Sequence, residues 1–127
     1  MMKNLAQPIE WTDAGVVILD QRRLPVEVIR YTYTDYREVA RSIKVMEIRG
    51  APAIGVAAAM GVALGVLHSP AKNIVELRAE FPKICEALAR TRPTAVDLFW
   101  AIERMKRTFA QLAPENSGNA GRQMQVS

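Results

Sequence analysis

The segment AIGVAAAMGVALGVL occupies residues 53–67 and contains no charged side chain. Together with residues 50–52 it is long enough to cross a lipid bilayer. Its richness in alanine and glycine, and the amphipathic segments that follow it, instead predict the central, buried helix of a globular domain. Small residues recur at Ala57, Gly61 and Gly65. This spacing predicts a helix face that another backbone approaches closely.

The part of the chain before this helix predicts a small antiparallel sheet. Residues 9–12 and 16–20 are β-compatible runs joined by a turn that contains Gly15, which is the pattern of a β-hairpin. Residues 26–33 are rich in β-branched and aromatic side chains and predict a third strand that starts behind Pro25. A sheet this small needs other elements to pack against.

A further helix is predicted between the sheet and the central helix. It begins at Asp35, where Glu38 three residues later completes a capping box, and it is expected to end at Gly50. Its core face is expected to contain Val39, Ala40, Ile43 and Met46.

Two more helices are predicted after the central one. The first opens at Ser69-Pro70, and Pro82 is expected to kink it or split it in two. The second runs from a cap at Thr94 to about Leu112. Its core positions are expected to be Val96, Leu98, Trp100, Ile102 and Met105.

These elements predict the fold class and the domain organisation. The chain of 127 residues suits one domain. We expect an α+β domain over residues 1–113, built from a three-stranded antiparallel sheet followed by a bundle of about four helices. Residues 114–127 carry almost no large apolar side chain and predict a disordered tail.

Composition excludes several classes of function. The net charge is +4, but the arginines are interleaved with acidic residues such as Asp20 and Glu47. This pattern indicates a solvated surface, so no nucleic-acid partner and no membrane partner are expected. One histidine and one cysteine make a Cys/His metal site very unfavourable. The first ten residues lack the apolar core of a signal peptide, which predicts a cytoplasmic location.

Two arginines precede predicted helix starts and mark a candidate anion site. Arg49 is followed by Gly50 and Ala51 and then by the start of the central helix, where free N–H groups and the helix dipole favour an anion. Arg92 stands in the same position before the last helix. The spacing alone favours the alternative, a plain turn between helices in which Arg49 pairs with a carboxylate. His68 and Cys85 are better explained as a helix-end residue and a buried small residue than as catalytic groups.

Three motifs carry a resemblance to a known family: LDQRRLP at 19–25, RGAPAIGVAAA at 49–59 and TRPTAV at 91–96. Together they strongly resemble methylthioribose-1-phosphate isomerases, which share their fold with the alpha, beta and delta subunits of translation initiation factor 2B and with ribose-1,5-bisphosphate isomerases. The resemblance covers residues 9–112.

The resemblance implies an activity and a site. The family converts 5-methylthioribose 1-phosphate to 5-methylthioribulose 1-phosphate in methionine salvage, without a cofactor and as a dimer. It implies substrate contacts for Arg49, Gly50, Ala51 and Arg92, and hence a sugar-phosphate partner and a homo-oligomer.

The same resemblance implies what the chain lacks. The catalytic cysteine and aspartate of the family lie in a Rossmann-like C-terminal domain that is expected to be absent here, and neither Cys85 nor any aspartate matches them. No catalytic residue is therefore assigned in this chain. Asp97 stands where the family usually has asparagine. Two alternatives stay open: a non-catalytic assembly module like the initiation-factor subunits, and an inactive remnant.

Overall fold

A computed structural model describes residues 7–112 of the chain. Their elements are the strands β1 (Ile9–Thr12), β2 (Gly15–Leu19) and β3 (Arg30–Tyr33) and the helices α1 (Tyr36–Lys44), α2 (Ala51–Leu67), α3 (Ile74–Ala89) and α4 (Val96–Leu112). The predicted α+β class, with three antiparallel strands followed by four helices, is confirmed. The expected tail at 114–127 and both ends of the predicted domain 1–113 lie outside the described residues.

The sheet has the order β1-β2-β3 with both pairs antiparallel. The hairpin is confirmed, but the third strand is shorter than the predicted 26–33. A 3-10 turn (Gln21–Arg23) follows β2, and the Asp20 N–H bonds the Ile29 carbonyl at 2.8 Å just before β3 begins. Val26 is 88% exposed and Val28 is half-exposed. Because their β-branched side chains do not pack in the core, burial does not stabilise a strand at these positions.

Helix α2 is the centre of the molecule and packs against the sheet and all three other helices. The glycines of this face do allow close packing, but side chains approach them and not the backbone that was predicted. A Cβ added at Gly65 would lie 2.7 Å from Ile84 Cγ2, and one added at Gly61 would lie 3.0 Å from a methyl of Leu88. None of the helices among residues 7–112 combines the length and the hydropathy needed to cross a membrane.

Helix α1 starts as predicted and ends earlier. The capping box of Asp35 and Glu38 is present at its start. The helix stops at Lys44, because Met46 adopts a left-handed conformation (φ 69°) and turns the chain away. The expected end at Gly50 was therefore wrong, and Met46 lies on the surface and not on the core face.

Helix α3 is continuous where a break was predicted. It begins after Asn73, whose side chain accepts from the Glu76 N–H at 2.9 Å, and it runs through Pro82 to Ala89. Phe81 and Ile84 are buried on either side of the proline. We attribute the continuity of the helix to this packing, which offsets the loss of the one backbone hydrogen bond that proline cannot donate.

Helix α4 has a different buried face from the predicted one. It begins at Val96, two residues beyond the expected cap at Thr94. Leu98 and Ile102 are buried as predicted, whereas Val96 is 63% exposed and Trp100 is 58% exposed. Two of the five expected core positions therefore face solvent.

Candidate functional site

A pocket of about 450 Å³ lies where the N-terminal ends of α2 and α4 meet. The two helices pack against each other at Gly55, where an added Cβ would make an ordinary contact with the Asp97 carbonyl oxygen at 3.4 Å. All four residues of the predicted site line this pocket, namely Arg49, Gly50, Ala51 and Arg92. The fold therefore brings together two sequence segments that are far apart in the chain.

The start of α2 has N–H groups that make no hydrogen bond within the helix. The first hydrogen bond within the helix runs from the Ile54 N–H to the Gly50 carbonyl at 3.0 Å. The N–H groups of Ala51 and Ala53 precede this bond and are left without a partner in the helix. Gly50 has φ 89° and no capping side chain, and no atom lies within 4 Å of where its Cβ would be. This end of the helix is open to an anion.

The two arginines are free to bind such an anion. Arg49 is exposed and Arg92 is half-buried. Within residues 7–112, neither guanidinium forms an ion pair with a carboxylate. The alternative in which Arg49 pairs with a carboxylate thus finds no such carboxylate in the described part of the chain.

Sequence reasoning missed part of the pocket wall. The additional lining residues are Met46, Ile54, Ala95, Val96 and Asp97. Met46 and Val96 had been assigned to helix cores, and only their backbone conformation and exposure reveal otherwise. Asp97 is the one acidic residue in this lining, and its carboxylate opposes the binding of an anion.

The other candidate residues lie away from this pocket. His68 follows α2 at its C-terminal end, roughly 24 Å from Pro52 at 1.5 Å per residue. Cys85 is buried in α3, and burial raises the pKa of its thiol to about 11. Residues 7–112 contain no group of three or more His, Cys, Asp or Glu side chains that could hold a metal ion.

Two acidic residues expected on the surface are buried instead. Asp20 is fully buried, and Glu47 is 2% exposed. Arg22 binds Asp20 through two hydrogen bonds of 2.8 and 2.9 Å, and its Nη2 lies 3.6 Å from Glu47 Oε2. The Arg22 hydrogen bond lowers the pKa of Asp20 to about 2. Burial and the hydrogen bond to Glu47 raise the pKa of Tyr33 above its ordinary value.

Comparison with known proteins decides the family. Residues 47–125, more than half of the chain, match the model of the Initiation factor 2 subunit family. The chain belongs to this family. The match begins at Glu47 and includes Arg49, Gly50, Ala51 and Arg92, so all four residues of the predicted site lie within the family's shared region.

Similar proteins confirm the resemblance to methylthioribose-1-phosphate isomerases that the motifs indicate. A methylthioribose-1-phosphate isomerase of Koribacter versatilis is 53% identical over 89% of this chain and 32% of its own length. The crystal structure of 5-methylthioribose 1-phosphate isomerase from Pyrococcus horikoshii has a TM-score of 0.83 at 38% identity, over 94% of this chain and 33% of that one. The crystal structure of the translation initiation factor eIF-2B subunit delta from A. fulgidus has a TM-score of 0.77 at 36% identity. The match covers 83% of this chain and 31% of that one. The chain spans about a third of the length of these relatives.

Proposed function

We propose that this chain is the phosphate-binding, N-terminal part of a methylthioribose-1-phosphate isomerase, which converts 5-methylthioribose 1-phosphate to 5-methylthioribulose 1-phosphate. One observation carries the proposal: Arg49, the open N-terminus of α2 and Arg92 line one pocket, and neither arginine is neutralised by a described carboxylate. The names of the relatives support the choice of substrate.

The pocket has the chemistry of a phosphate ester site. A guanidinium offers a planar pair of donors to phosphate oxygens. The N–H groups of Ala51 and Ala53 add donors aligned with the positive end of the α2 dipole. Since Gly50 has no side chain, a phosphate can approach the backbone there. Two arginines and the helix end together outweigh the single opposing charge of Asp97.

In the proposed reaction, these residues bind the phosphate of the substrate and orient its sugar. The anomeric oxygen of the substrate carries the phosphate, so a site that holds this phosphate also fixes the position of C1 and C2. Holding the reacting carbons in place lowers the barrier by removing translational and rotational freedom before the chemical step. We assign Arg49, Gly50, Ala51 and Arg92 to this role, and we assign no proton-transfer step to the described residues.

The proposal is tested by titrating the chain with inorganic phosphate and with 5-methylthioribose 1-phosphate while recording amide NMR shifts. We expect shifts centred on Gly50, Ala51 and Ala53, with affinity near the millimolar range (about −4 kcal/mol). Arg92→Gln is expected to weaken binding clearly. Arg90→Gln is the matched control, because Arg90 is an exposed cation that lines a different pocket.

Two results would contradict the proposal. One is a set of small shifts spread evenly over the basic surface, which indicates ordinary charge screening. The other is equal binding by the Arg92 and Arg90 variants. Sodium chloride at matched ionic strength provides the reference for screening.

The second candidate function is a non-catalytic assembly module, which the likeness to the A. fulgidus initiation-factor subunit favours. The same titration separates the two. An isomerase part binds the sugar phosphate more tightly than inorganic phosphate, because the sugar adds contacts, whereas an assembly module gains nothing from the sugar.

A further inference from the structure

The motif LDQRRLP at 19–25 is one of the three that carry the family resemblance, yet it does not line the candidate pocket. It comprises the end of β2, the 3-10 turn and the start of the irregular segment after it. Its Asp20 is fully buried, although a buried carboxylate is costly unless it is paired. The motif therefore needs a structural or functional explanation beyond surface charge.

The contacts of this motif converge on Glu47. The Gln21 N–H donates to the Glu47 carbonyl at 2.8 Å. Arg22, held by Asp20, lies 3.6 Å from one oxygen of the Glu47 carboxylate. The Tyr33 hydroxyl in β3 donates to the other oxygen at 2.8 Å.

A residue of α1 also contacts Glu47 and holds its backbone. The Glu47 N–H donates to the Ser42 carbonyl at 2.9 Å. The backbone N–H, the carbonyl and both carboxylate oxygens of one residue are thus each engaged. Ile48, the next residue, is fully buried and holds the chain in the core.

The fixed residue lies immediately before the candidate anion site. Glu47 stands two residues before Arg49 and three before Gly50, whose positive φ sets the direction of α2. α1 has already ended at Lys44, so no helix holds the connecting residues. The contacts that hold Glu47 just before Arg49 come from Gln21 and Arg22 in the 3-10 turn and from Tyr33 in β3.

We propose that Glu47 is a positioning residue for the anion site, and that Asp20, Arg22 and Tyr33 are its supports. The proposal rests on the proposed function for the identity of the ligand, but the ordering of residues 49–54 that it requires is a property of the free protein. Glu47 touches no ligand in this scheme and acts through the backbone of Arg49 and Gly50.

The test uses the full 127-residue chain with Tyr33→Phe, Glu47→Gln and Glu47→Ala. In the free protein, amide hydrogen exchange of residues 49–54 is expected to rise in the order wild type, Tyr33→Phe, Glu47→Ala. Inorganic phosphate binding is expected to weaken by about three- to tenfold in Glu47→Ala. Glu47→Gln keeps an acceptor for the Tyr33 hydroxyl and is expected to recover part of both losses.

The control separates positioning from general destabilisation. Ile84→Val removes a methyl group from the core beneath Gly65, away from the pocket. It is expected to lower stability without changing exchange at residues 49–54 or phosphate binding. If Glu47→Ala fails to fold, Tyr33→Phe alone tests the positioning role of Glu47. This variant removes only one hydroxyl and is therefore expected to fold.

The outcomes also separate the two proposals. If wild type shows no phosphate shifts at Gly50 and Ala51, the proposed function fails, and the exchange data still decide the role of Glu47. If exchange at residues 49–54 is the same in wild type, Tyr33→Phe and the Glu47 variants, the positioning role is wrong. Equal changes in Ile84→Val would overturn it as well.

Discussion

At the scale of single residues, the buried charges are what the sequence could not show. Asp20 and Glu47 alternate with arginines along the chain, a pattern that ordinarily indicates a solvated surface. Their burial depends on Arg22 and on tyrosines of β3, which lie far from Glu47 in the sequence. By contrast, Arg49 and Arg92 could be proposed from the sequence because each lies within four residues of a recognisable helix start.

The pairing of Asp20 makes stability depend on pH. Because Arg22 lowers the folded-state pKa of Asp20 to about 2 from 3.8, its contribution is fully present above pH 4 and is lost as the pH falls through 2. We expect Asp20→Asn to cost about 1–3 kcal/mol at pH 6. Chemical denaturation of both proteins between pH 6 and pH 2 measures this difference.

The difference between wild type and Asp20→Asn is expected to shrink over that window, since wild type loses the charge that the variant never had. Asp13→Asn is the control, because Asp13 is exposed in the turn between β1 and β2. A difference that stays constant from pH 6 to pH 2 would show that Asp20 does not carry the charge.

At the scale of elements, the composition of α2 predicted correctly that this helix is buried on most sides. The apolar pattern of α4, which is buried on one side, did not predict which side that is. α2 could be identified from residues 53–67 alone, since an uncharged helix in a globular domain has to be central. α4 carries apolar residues on more than one face, so periodicity alone could not select the buried one. The length of β3 was misjudged for a similar reason, because β-branched residues predict a strand even where nothing covers them.

The outer face of α4 leads to a prediction about association. Val96, Phe99 and Trp100 are exposed within one turn of helix, and Val56 of α2 is also exposed. A cluster of large apolar side chains in water favours association, and we expect a second copy of this chain to cover it. Sedimentation velocity over a concentration series measures the effect.

We expect Trp100→Gln and Val96→Ser to shift the chain towards monomer. Val75→Ser is the matched control, because Val75 is equally exposed on α3. A wild-type chain that remains a clean monomer at high concentration would contradict a self-associating face.

At the scale of the whole molecule, residues 7–112 form the proposed phosphate site, and we assign none of them to proton transfer. The anomeric oxygen of the proposed substrate, 5-methylthioribose 1-phosphate, is locked as a phosphate ester, so simple ring opening is blocked. A hydrogen must still move between C2 and C1. That transfer requires a positioned acid and base. In the described part of the chain, the pocket lining contains one carboxylate, that of Asp97, beside the two arginines.

We therefore expect the 127-residue chain to bind 5-methylthioribose 1-phosphate but to form no ketose from it. Adding the remaining two-thirds of the Koribacter versatilis relative in trans is expected to restore a trace of turnover, since that part would supply the missing groups. Arg92→Ala is then expected to abolish the trace, because the phosphate loses a donor that fixes C1. Arg90→Ala serves as the control and should leave it unchanged. Ketose formation by the isolated chain would show that a proton-transfer pair lies within it, with Asp97 the first residue to substitute.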